Sequence, residues 1–146
     1  FACSLLGLGR AMARYAGANP DGAAREAAMA KLHRAMATHP ILVAGEGRAC
    51  TDLMAAMGGR VAVKTGAEAV FVAIIPEKKI GIALKIEDGG TRASEAVITQ
   101  LLIGAGVLDA ASPVAKRLTY GPITNRRDVE TGFIRPVASV RDWRLS

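Results

Sequence analysis

The sequence predicts an α/β chain of the α+β kind, with an antiparallel hairpin covered by helices. Three observations predict it. The run Ala69–Ile75 is apolar on both faces, and after the turn Pro76-Glu77-Lys78-Lys79 the chain returns through Ile80–Glu87. In that return Ile80, Ile82, Leu84 and Ile86 alternate with Gly81, Ala83, Lys85 and Glu87, the period of a strand with one buried face. A turn this short joins antiparallel neighbours, and an arm that needs cover on both sides is a central strand. Helical periodicity marks the segments before and after this hairpin. Half the residues are apolar (51%), alanine and glycine are abundant, and 146 residues suffice for one domain with a real core.

Taken in order, Leu5, Leu8, Met12 and Tyr15 recur at helical spacing and predict a helix over Ser4–Ala16. Gly17-Ala18-Asn19-Pro20 stops it, and Asp21 is placed to cap a second helix over Gly22–Ala37. That helix is expected to bury Ala28, Met29, Leu32, Ala35 and Met36. His33, next to the stripe, and His39, at the helix end, read as packed or capping residues. Pro40 ends the helix, and Gly45 and Gly47 around Glu46 form a tight loop. Glu46 and Arg48 form either a surface pair or the mouth of a cleft. Thr51 or Asp52 caps a short third helix through Met57, and Gly58-Gly59 releases the chain into strands Arg60–Val63 and Ala69–Ile75.

Beyond the hairpin, Asp88-Gly89-Gly90 leads to a helix over Thr91–Ala105, with Ala93, Val97, Ile98, Leu101, Leu102 and Ala105 toward the sheet. A shorter helix covers Ser112–Leu118 with Pro113 in its first turn. Phe133–Val140 is expected as an edge strand limited by Pro136. The chain opens on Phe1, already in helical register, and reads as a single partial domain over 1–146, a piece of something longer.

The formal net charge of +6 suits an anionic partner, but no dense Lys/Arg block exists beyond Arg126-Arg127. The charge therefore reads as a basic solvated surface, and nucleic acid is not an expected partner. No apolar run reaches eighteen residues and no export pattern is present, so the expectation is a cytoplasmic protein without membrane contact. Cys3 and Cys50 stand alone, read as free thiols, and form no metal site within this chain.

The candidate chemistry lies between the first two strands, at Lys64-Thr65-Gly66. The ammonium supplies a fixed positive charge, the hydroxyl can hold a carboxylate, and glycine lets a ligand approach the backbone. The same triplet on a sheet strand, followed by a hairpin and a covering helix, is the third signature of serine acyl-transferring enzymes of the β-lactamase and penicillin-binding class.

A wider likeness is carried by His39-Pro40, by Val43-Ala44-Gly45 with Arg48 and Thr51, and by Lys64-Thr65-Gly66-Ala67-Glu68. Lys85-Ile86-Glu87-Asp88-Gly89 with Arg92-Ala93 and Asn125-Arg126-Arg127…Gly132-Phe133-Ile134-Arg135-Pro136 extend it. From about Leu8 onward the chain resembles the C-terminal half of the bacterial L-asparaginase II family, the Rhizobium etli type. The resemblance implies a β-lactamase/penicillin-binding-protein-like fold and hydrolysis of L-asparagine to aspartate and ammonia by a serine nucleophile activated by lysine. It assigns Lys64 as the catalytic lysine of a Ser-Lys dyad, pairing with a second active-site serine near the nucleophile, a serine that also lies outside this chain. Substrate binding falls to Thr65, Gly66, Ala67 and Arg48, with Thr65 on the α-carboxylate and the Ala67 N–H in an oxyanion hole.

A lysine held against a sheet beside other cations can act as a base; one that keeps its proton orients the serine and stabilises the oxyanion. The family's Ser-x-x-Lys nucleophile is absent, since Ser112…Lys116 is one residue too long. The nucleophile, and any zinc, are thus left to residues outside this chain. The expectation is a fragment inactive alone, from a protein that is homodimeric in full. Alternatives are a glutaminase, a β-lactamase-like serine hydrolase, or a non-catalytic basic module binding nucleic acid or protein. Few aromatics (4%) and scattered charges argue against the last.

Overall fold

A computed structural model describes residues 2–145. Helix α1 (Leu5–Ala16) starts at Ser4, whose hydroxyl accepts the Gly7 N–H at 3.0 Å. Helix α2 spans Ala24–Thr38, α3 Pro40–Ala44 and α4 Ala49–Ala56. Strands β1 (Ala62–Thr65), β2 (Val70–Ile75) and β3 (Ile80–Lys85) follow, then α5 (Thr91–Gly104) and α6 (Pro113–Tyr120). A small hairpin of β4 (Pro122–Thr124) and β5 (Glu130–Phe133) precedes α7 (Ala138–Arg141).

The main sheet is antiparallel with order β1-β2-β3, so β2 is central, as its apolar faces require. Phe71, Ala73 and Ile75 are completely buried along one face of β2. They join a core with Leu53, Met54 and Met57 of the α4 region, Val61 and Val63 of the first strand region, and Ile98 and Leu102 of α5. Helix α1 lies directly on β3, and Gly81 makes this approach possible. A Cβ there would sit 2.1 Å from the Ala13 nitrogen and 2.5 Å from the Gly9 oxygen. A mixed α/β architecture of small antiparallel sheets and helices thus holds.

Several local expectations are corrected. Asp21 does not cap α2; the cap position is Ala23, without a side-chain bond, while the Asp21 N–H turns back to Asn19 Oδ1. The buried face of α2 is Met29, His33 and Ala37, with Leu32 53% exposed, because this face meets α1 and the sheet. His33 is therefore packed, as expected of it. Pro40 both ends one helix and opens the next, its missing N–H costing nothing at a first turn. Helix α4 begins two residues before Thr51, whose hydroxyl instead reaches back to the Gly45 and Pro40 carbonyls at 2.5 and 3.3 Å.

Strand β1 runs on through Lys64 and Thr65. The expected edge strand over Phe133–Val140 is not formed: β5 spans Glu130–Phe133 and pairs with β4, and Ala138–Arg141 is the helix α7. That terminal segment clamps α5, with Gln100 Nε2 donating to the Arg141 carbonyl and the Leu145 N–H to the Gly104 carbonyl, both at 3.1 Å.

Candidate active site

Lys64 and Thr65 occupy the last two positions of β1, opposite Val72 and Phe71 of β2. Both faces of β1 are buried at its start, at Ala62 and Val63. Lys64, on the Ala62 face, emerges only toward the strand end, where it is exposed and its Nζ donates to the Thr65 carbonyl at 2.7 Å. Strand β1 is an outer strand of the sheet, and the ammonium projects from the sheet face near the end of that strand. Two cavities of about 610 Å³ lie elsewhere, and Lys64 lines neither.

The turn after β1 is built from an uncommon backbone. Glu68 and Ala69 both adopt left-handed φ, +54° and +55°, at a cost of roughly 1–2 kcal/mol each. This reversal lets the Gly66 N–H reach the Val70 carbonyl at 2.7 Å. A Cβ on Gly66 would lie 3.2 Å from that of Val70, so the tight closure favours glycine. Ala67, exposed, opens a single 3-10 turn over Ala67–Ala69, and the first N–H groups of a helix have no partner inside it. The Thr65 hydroxyl has only long contacts, 3.4 and 3.5 Å, to the Gly66 and Val70 carbonyls. It can be recruited by a better acceptor.

The start of α4 anchors this strand end. Cys50 is 1% exposed, and its Sγ accepts the Thr65 N–H at 3.3 Å. Burial pushes the thiol pKa up; the Thr65 N–H, Lys64 and Arg48 pull it back, and Glu95 adds to the rise. Arg48 is exposed at the cap of α4, just before Cys50, and makes no hydrogen bond or ion pair with Lys64 or Thr65 among the described residues. Arg48 makes no ion pair with Glu46 among the described residues.

Cys50 and Glu95 were not among the residues the sequence singled out for the site. Glu95, half-buried in α5, has its carboxyl pushed up by burial, while Arg48 and Arg117 pull it down. A lone cysteine and a mid-helix glutamate carry no spacing signal of their own. Among the described residues no three His, Cys, Asp or Glu side chains gather as a metal-holding group. Cys3 is exposed and Cys50 serves Thr65, so these residues do not fit zinc. Nor is any helix among them long and apolar enough to cross a membrane.

A family model described as L-asparaginase II matches residues 1–136. The chain belongs to the L-asparaginase II family. Membership places it among amidohydrolases, in general terms those that hydrolyse asparagine, with an amide as substrate. No curated protein matches it.

Proposed function

We propose that this chain supplies the lysine-bearing side of an L-asparaginase active centre, with a β-lactamase-like fold and a serine nucleophile contributed by residues outside it. The observation that carries the reading is Lys64-Thr65-Gly66 at the open end of an edge strand, its ammonium held only by the carbonyl of the next residue. Exchanging that contact for a serine hydroxyl requires only side-chain rotation. Lys64 as an amine would take the serine proton as the oxygen attacks the amide carbon; as an ammonium it would orient the serine and stabilise the developing oxyanion. The proton taken from serine passes to the amide nitrogen as the C–N bond breaks and ammonia leaves. Water then cleaves the resulting acyl ester to aspartate, returning a proton to the serine oxygen.

The neighbours fit the remaining tasks. The loosely bonded Thr65 hydroxyl and Arg48 would hold the substrate carboxylate, and Gly66 would leave room for it beside the backbone. The Ala67 N–H would donate to the oxyanion. Cys50, from the protein interior, would fix Thr65 against substrate motion. The placement within the Rhizobium etli type and the homodimeric, cytoplasmic full-length form belong to the same reading.

The test is Lys64→Ala in the full-length protein, assayed for ammonia release from L-asparagine and L-glutamine. Activity is expected to fall by at least about a hundredfold, the usual scale for removing a general base, with an unchanged circular dichroism spectrum. Retained activity would overturn the role of Lys64, and a preference for glutamine would move the substrate by one methylene. Robust turnover by the 146-residue chain alone would overturn the division of the site between two parts.

A further inference from the structure

Strand β1 has a second basic end. While Lys64 stands near its close, Arg60 lies just before its start, at the lip of a cavity of about 610 Å³. The size is that of a small-molecule site. Its space arises from small residues: Ala16 and Ala18 at the end of α1, Ala27 and Ala30 on α2, and Gly59. Tyr15 supplies a half-buried aromatic ring.

The charges at this cavity are unequal. Glu77 is its one carboxylate, and both its oxygens are taken by Arg60 Nη1 at 3.1 and 2.9 Å. Lys31 and Arg34, one α-helical turn apart on α2, are exposed and make no ion pair among the described residues. Between them in sequence, His33 also lines the cavity; it is 8% exposed, and its Nε2 has no hydrogen-bond partner. That nitrogen is shut off from solvent and the ring lies near the Ile74 carbonyl of the sheet, so His33 forms part of the cavity floor rather than a polar contact for a ligand.

We propose that this cavity binds a small organic carboxylate with a flat apolar body. Lys31 and Arg34 hold the carboxylate, and the body lies among Tyr15 and the alanines over the buried His33. An inorganic anion would satisfy the two cations but leave most of the apolar space unfilled, so the body contributes to affinity as well as the charge. This site is independent of the reading of Lys64.

Benzoate is a suitable probe, with benzamide as its neutral isostere and inorganic phosphate as a bare anion. Titration of the chain by calorimetry and by amide NMR shifts is expected to give saturable benzoate binding that moves α2 resonances. Benzamide should bind about tenfold more weakly, the scale of two partly exposed charge contacts, and phosphate, which shares only the two cations, should displace benzoate only when present in large excess. The double variant Lys31→Gln, Arg34→Gln should lose about tenfold in benzoate affinity with unchanged circular dichroism. Lys64→Ala should bind benzoate as the parent chain does. Absence of saturable benzoate binding, equal affinity for benzamide, displacement by equimolar phosphate, or an unaffected double variant would each overturn the proposal.

Discussion

Cys50→Ala tests the buried device that fixes the candidate site. The native sulfur is 1% exposed and accepts the Thr65 N–H at 3.3 Å. Deleting it removes one buried soft atom, worth about 1 kcal/mol by transfer. It also orphans the N–H, at about 1–3 kcal/mol for a fully buried group. Thr65 is only half-buried and sulfur is a weak acceptor, so the low end of that range applies. The sum is about 2 kcal/mol, or roughly 4–8 °C in Tm for a chain of this length.

Urea unfolding gives the energy, and amide hydrogen exchange at Thr65 separates the two contributions. Exchange there should speed up even where global stability is restored by osmolyte. Cys50→Ser should recover less than half of the loss, because the shorter C–O bond draws the acceptor away and buries a hydroxyl that must find its own partner. A loss below about 0.5 kcal/mol with unchanged Thr65 protection would refute the idea that this thiol holds the strand end.

Three further outcomes follow from the same geometry. Gly81→Ala drives a Cβ into the α1 backbone, 2.1 Å from the Ala13 nitrogen; with no side chain to give way, a loss of about 3 kcal/mol or more is expected in urea unfolding. His33 is held below its ordinary pKa of 6.5 by burial, against a raising influence from the Ile74 carbonyl. Its contribution to stability is thus present above pH 6.5 and lost as pH falls through the lower folded-state value, with a slope of at most about 1.4 kcal/mol per pH unit. His33→Gln should remove that slope from stability measured between pH 7.5 and 4.5. Burial raises the Glu95 pKa more strongly than Arg48 and Arg117 lower it. The native state is therefore favoured below pH 4.5 and loses that advantage as pH rises through the folded-state pKa, so Glu95→Gln should raise the urea midpoint at pH 7; a lowered midpoint would make Glu95 an ion-pair anchor instead.

The sheet was legible because its signals are local. The doubly apolar Ala69–Ile75 run reports a strand that needs cover on both faces, and β2 is indeed central. The Ile/small alternation from Ile80 marks β3 as a strand, but α1 lies on its small-residue face at Gly81. Helix α2 was legible as a helix but not in its facing. Hydrophobicity alone places Leu32 inward and His33 aside, yet Leu32 is 53% exposed and His33 8%. The orientation of α2 is set by α1 and the sheet beneath, where the His33 ring lies near the Ile74 carbonyl, and no window of one helix contains that information. Pro40 shows a related limit, since the residue that stops one helix is equally suited to begin the next.

At the candidate site the residue types were legible and their support was not. Lys64-Thr65-Gly66 identifies a charge, a hydroxyl and an open backbone, but three such residues on a straight strand would simply continue along the sheet. What sets the strand end apart is the pair of left-handed residues at Glu68 and Ala69, together with the Cys50 thiol fifteen residues upstream of Thr65. An alanine at +55° is disfavoured on its own and persists because neighbouring contacts over-determine it. Gly66 bonded to Val70, and α5 packed against the turn, supply those contacts. The strain is thereby sustained by long-range packing, which explains why the motif is written in three adjacent letters while its presentation depends on residues from four separate elements.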